Sequence, residues 1–216
     1  MAAGKGQGSS AAALKTRRRV QRDEVDGAVV LVSKKLQELR NRQKQCELLR
    51  SVGGALYEEM DKLSKKSPVD PVTTLALGEV NNFLAQTKAL GKDDSFIQRL
   101  NEFVPAGELP ENRDVVFVLK LALEGLKRVK ETLSSLIGAA SARVREARTV
   151  LLALDYYLQH EHVPDRNAFA ANDSELPDEW ELGNKFDFAH LDRIDIKSYF
   201  AEEKTPDESD DETDDE

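Results

Sequence analysis

The stretch VDGAVVLVSKKLQELRNRQKQC, residues 25–46, decides the fold. Val25, Val29, Val32, Leu36, Leu39, Gln43 and Cys46 follow one another at spacings of 4, 3, 4, 3, 4 and 3. On a helix of 3.6 residues per turn that spacing lays them along one stripe, the seam of a coiled coil. Asp23, Glu24 and Asp26 stand where carboxylates suit a helix start, which places the first helix at 23–65. The seam continues as Leu49, Gly53, Leu56, Met60 and Leu63 after slipping near Leu49, and Gly53-Gly54 reads as local flexibility. Ser67-Pro68-Val69-Asp70-Pro71 ends the helix.

A second periodic segment answers the first. From 112 to 162, Leu119, Ala122, Leu126, Val129, Leu133, Leu136 and Ala140 alternate by 3 and 4, and Val144, Ala147, Leu151, Leu154 and Leu158 carry the pattern on past a slip near Ala140. Between the two lie two short amphipathic helices. Asp70 as N-cap and Pro71 as first residue open one, with Val72, Ala76, Val80, Phe83, Leu84, Thr87 and Leu90 inward and Gly91 closing it. Asp93 or Asp94 opens the other, carrying Phe96, Ile97, Leu100, Phe103 and Val104. The expected fold is all-α: an elongated antiparallel helical hairpin of two long coiled-coil-like helices, two short capping helices, and disordered ends. Val115, Val116, Phe117 and Val118 make the start of the last helix apolar nearly all round, as contact with the capping helices requires. Residues near 49 are expected across from residues near 130 to 140.

Composition agrees. Of 216 residues 33% are charged, aromatics are 6%, and 12 Gly with 7 Pro leave little for turns between strands. One cysteine permits no internal disulfide and no cysteine-rich metal site, and no run reaches the length of a membrane span, which suits an intracellular chain, cytoplasmic or nuclear. Charge divides the chain into a flexible basic segment (1–22, six basic and no acidic residues), a nearly neutral helical domain (23–162), and an acidic, mostly disordered tail (163–216, five basic and nineteen acidic).

The chain carries no phosphate-binding glycine loop, no H-E-x-x-H and no nucleophile elbow. His160 and His162, two residues apart, point to different helix faces and suit the dipole of a helix end better than a metal. Neither enzymatic activity, a metal site nor a cofactor is expected. Arg17, Arg18, Arg19 and Arg22 form a small basic patch, without the aromatic platform that nucleic-acid binding favours. It suits an acidic partner or a nuclear import signal.

Aromatic islands interrupt the acidic tail: Trp180 with its neighbours, and Phe186 through Phe200. Either they dock back on the hairpin or they are motifs that order on a partner. Ile196, Tyr199 and Phe200 in Ile196-Lys197-Ser198-Tyr199-Phe200 resemble the box by which replication and repair proteins enter sliding-clamp rings. That family usually has glutamine where this chain has Arg193. Ser209 and Thr213, each followed by three acidic residues, look like sites for acidophilic kinases. The function that follows is a non-catalytic protein–protein interaction subunit or adaptor, homo- or hetero-oligomeric with other helical proteins. The alternative is a nuclear accessory factor, histone-shielding or clamp-binding, that acts through the tail.

Overall fold

The computed structural model of the chain describes residues 7–103, 109–168 and 177–201; Val104, Ser209 and Thr213 lie outside them. In chain order the elements are α1 (Gln7–Lys66), α2 (Thr74–Leu90), α3 (Ser95–Gln98), α4 (Asn112–His160), the single turns Arg166–Ala168 and Asp178–Trp180, β1 (Glu181–Leu182), β2 (Lys185–Phe186), α5 (Phe188–Leu191) and α6 (Ile196–Ala201). Two long helices that pack together dominate. No helix among the described residues is long and apolar enough to cross a membrane. By its internal contacts the chain divides into two units, one formed by residues up to Lys35 with those from Ala140 onward, the other by Leu36–Ala139.

In the 36–139 unit most of the residues picked out by the 3–4 spacing are buried or half-buried, but Leu63 is 44% exposed. Leu36, Leu39, Cys46 and Met60 of α1 and Val115, Leu119, Ala122, Leu126, Val129 and Leu133 of α4 are buried. The pairing is antiparallel: Gln43 Nε2 donates to Ser134 Oγ at 3.0 Å, Glu47 meets Lys130 at 2.9 Å, and a Cβ on Gly53 would lie 3.1 Å from Leu123. Partners fall in number as α1 advances. Buried Cys46 places its thiol 3.2 Å from the Leu126 carbonyl, so the residues opposite position 49 come slightly earlier in α4 than the spacing suggests.

Three details differ from the sequence reading. Helix α2 starts at Thr74, because Thr73 is the cap, its hydroxyl accepting from Ala76 N at 3.3 Å. Asp70–Val72 instead run extended beside the segment before α4, with Val72 N donating to Pro110 O at 2.9 Å and Asn112 N to Asp70 O at 3.1 Å. Phe117 is 63% exposed while Val116 and Val118 are half-buried, so the start of α4 is left uncovered on the Phe117 side. Gly53 is a packing site rather than a hinge: a methyl there would overlap the ring of Phe83, itself 2% exposed. The same logic places Gly91 and Gly125 around Ile97, whose side chain lies 2.5 and 2.6 Å from where their Cβ atoms would be.

In the other unit α1 begins at Gln7 and not at the Asp23–Asp26 turn. Alanines at 11–13 favour helix, and Lys15, Arg18, Gln21 and Arg22 all find partners outside α1, which holds this early part in place. Arg22 Nε donates to Asp155 at 3.1 Å and Lys15 meets Glu161 at 2.5 Å, so α1 and α4 are antiparallel here too. Val25, Ala28 and Val32 of α1 and Val144, Ala147, Val150, Ala153 and Leu154 of α4 are buried in this unit.

Residues 177–201 pack as part of this unit. The β1–β2 hairpin turns on Gly183, whose φ of +67° suits glycine, and Pro164 and Arg166 extend the pairing to the chain leaving α4. Trp180 is fully buried, its ring 6.0 Å from Phe186, 4.8 Å from His190 and 5.5 Å from Tyr199. Of the two alternatives for the aromatic islands, the docked one is the arrangement observed.

Candidate interaction surfaces

Of the side chains singled out by sequence, those among the described residues lie in the unit that contains 177–201, and Trp180, Ile196, Phe200 and Arg18 face inward. Ile196 and Phe200 are 4% and 1% exposed. Tyr199 donates its hydroxyl to Glu146 Oε1 at 2.7 Å while its carbonyl accepts from Arg143 at 2.7 Å. Burial first, then the bond to Glu146, pushes the Tyr199 hydroxyl up to about 12. Of the clamp-like box, Tyr199 therefore binds the chain's own α4, while Ile196 and Phe200 are buried in the same unit, Phe200 with its ring 6.5 Å from that of Trp180. An open cleft of about 460 Å³ lies beside them, between Arg143, Glu146, Ser198 and Tyr199. Arg143 and Glu146, which line it, are each bonded to Tyr199.

The basic patch is likewise engaged. Arg18 is 6% exposed; its guanidinium lies 4.5 Å over the Phe188 ring and is bonded to both carboxylate oxygens of Asp192, at 2.5 and 3.1 Å. Gln21 adds a third bond to Asp192 at 2.9 Å, and Arg17 approaches at 3.2 Å. Burial raises the Asp192 carboxyl, but bonds from Arg18 and Gln21 and the charges of Arg18 and Arg17 outweigh it and hold the group below its ordinary value. Arg22 is shared by Asp155, Asp23 and Asp26. Arg19 alone of the four has no ion-pair partner among the described residues and is exposed. Arg17 and Arg18 thereby tie α1 to Asp192 at the end of α5.

His160 and His162 gather around Tyr156, with Tyr156 Oη 2.9 Å from His162 Nε2 and ring centroids at 4.4 and 5.1 Å. Among the described residues no group of His, Cys, Asp and Glu is arranged to hold a metal ion.

The other unit carries a surface that the sequence reading did not single out. Where α2 crosses α1, two contiguous clefts of about 500 and 310 Å³ share Leu49, Val52 and Gln86. Leu48 stands 66% exposed and Val52 45% exposed along the α1 wall, with Leu49 and Leu56 half-buried below them and Phe83 as part of the floor. Helices α1 and α2 are antiparallel along the cleft, since Arg42 and Lys92 line one end and Leu56 and Glu79 the other. On α2, Glu79, Asn82 and Gln86 follow exposed Leu75 by 4, 3 and 4, which extends the same wall. The signal in the sequence is a second stripe, Gln45, Leu48 and Val52, which runs beside the seam and meets it at Leu56. An apolar stripe wider than a two-helix seam marks a helix with a second neighbour.

No protein-family model, curated protein or solved structure matches the chain.

Proposed function

We propose that the chain is a non-catalytic protein–protein interaction subunit, and that the α1/α2 groove of the 36–139 unit is its binding face. The observation that carries this is the pair Leu48 and Val52, large aliphatic side chains left exposed next to each other on the rim of an apolar cleft. Covering each is worth about 1 to 2 kcal/mol, and an amphipathic helix laid along the groove reaches both. Affinity purification of the tagged full chain beside a Leu48→Asp/Val52→Asp variant tests it. Loss of one specific set of partners supports the reading; the same partners in both samples contradict it.

A second reading has its own support. Of the arginines near the start of α1, Arg17, Arg18 and Arg22 are paired with Asp192, Asp155, Asp23 and Asp26, which leaves Arg19 as the one without an ion-pair partner among the described residues to receive the ten acidic residues of 202–216. A basic partner in trans, such as a histone, is then the better match for that charge. Binding to histones that weakens steeply with salt and disappears when 202–216 is removed supports it, and binding that survives the truncation contradicts it.

A further inference from the structure

We infer that the occupant of the α1/α2 groove is the same groove of a second copy of this chain, the two related by a twofold axis across it. The inference rests on the groove being a binding face and goes on to name what fills it. It follows from how charge is laid along the cleft. At one end stands Lys92, exposed, with no ion-pair partner among the described residues; Arg42 beside it pairs with Asp93 at 3.4 Å and donates to Leu90 O at 3.2 Å. At the other end stands Glu79, also exposed and without an ion-pair partner among the described residues. Glu59 is likewise exposed on α1, seven residues after Val52 and so on the same helical stripe.

The middle is uncharged: Leu48, Leu49, Val52, Leu56, Gln86 and Ala89. A groove that is basic at one end, acidic at the other and apolar between them is complementary to itself when turned by half a revolution. That operation brings Lys92 of one copy to Glu79 of the other, twice, and sets the two Leu48–Val52 rims against each other. Isologous twofold pairing of this kind is the commonest closed arrangement of identical chains. A groove of uniform charge would repel its own copy, and an apolar groove with neutral ends would favour no orientation.

Sedimentation equilibrium of the full chain over a wide concentration range tests this. The expected result is a reversible monomer–dimer equilibrium. Leu48→Asp/Val52→Asp should weaken it by roughly a hundredfold or more while circular dichroism stays helical, since both side chains are exposed and support no core. Lys92→Glu alone and Glu79→Lys alone should each weaken dimerisation by about three- to tenfold, because each sets like charges together at both ends. The chain carrying both changes should recover most of the loss, since its groove is again complementary to itself with the polarity reversed. A chain that is monomeric at every concentration overturns the inference, as does a dimer indifferent to Leu48 and Val52, or a double exchange no better than either single one. The first of those results leaves the groove available to a different protein and does not touch the purification experiment, so the two readings fail separately.

Discussion

Adjacent glycines in α1 should respond oppositely to the same substitution. A Cβ on Gly54 meets nothing within 4 Å, so Gly54→Ala should show the plain helix-propensity gain of about 1 kcal/mol, or a rise in melting midpoint of about 2 to 4 °C for a chain of this size. Gly53→Ala receives the same gain but places its methyl inside contact distance of the Phe83 ring and 3.1 Å from Leu123. Phe83 is 2% exposed, with little room to withdraw, and overpacking of this kind costs about 1 to 3 kcal/mol. The net effect at Gly53 runs from neutral to about 2 kcal/mol destabilising, so the neighbours should differ by about 1 to 3 kcal/mol. Urea unfolding followed by circular dichroism measures both. Adding Phe83→Leu to each variant sharpens the test: the smaller side chain should relieve Gly53→Ala and leave the effect of Gly54→Ala unchanged. If Gly53→Ala proved as stabilising as Gly54→Ala, the close approach of α2 to α1 at this point would be wrong.

Asp192→Asn should destabilise the unit containing α5 by about 2 kcal/mol, because it leaves the nearly buried Arg18 without its anion; thermal unfolding reads this. Since the folded state holds the Asp192 carboxyl below its ordinary value, its contribution is complete above about pH 4 and lost as pH falls through the depressed value. The Asn variant should lack that acid-side component. Tyr199 works in the other direction: its hydroxyl is raised to about 12, so its contribution is complete below about pH 10 and lost as pH rises through about 12. Tyrosinate absorbance should show a late-ionising component that Tyr199→Phe removes. Cys46, fully buried and with its thiol pushed up by that burial, should react with a disulfide reagent roughly a hundredfold or more slowly in the native chain than in urea.

The long helices were legible because their burial depends on a repeat that the sequence displays openly. Leu36, Leu39 and Cys46, and Leu119, Ala122 and Leu126, are buried as their 3–4 spacing requires. The start of α1 was not legible, because what holds it lies far along the chain: Asp192, Asp155 and Glu161 meet Arg18, Arg22 and Lys15 only once folded. Local carboxylates at 23–26 gave the stronger signal for a start, and tertiary pairing overrode it. Gly53-Gly54 shows the same limit at one residue, since glycine for freedom and glycine for close approach read alike until Phe83 is in place. The arginine patch and the aromatic islands were visible as features, but that each engages residues of the same unit is a fact of the fold. The groove was written in the second stripe of Leu48 and Val52, and it was hidden by the seam beside it.

A photo-crosslinking amino acid placed at position 48 of the full chain in cells tests the groove most directly, with positions 117 and 182, exposed but outside the groove, as controls. A discrete covalent adduct from position 48, absent from both controls and lost when Val52→Asp is added, is the predicted result. No adduct from position 48, or the same adducts from all three positions, would contradict the account.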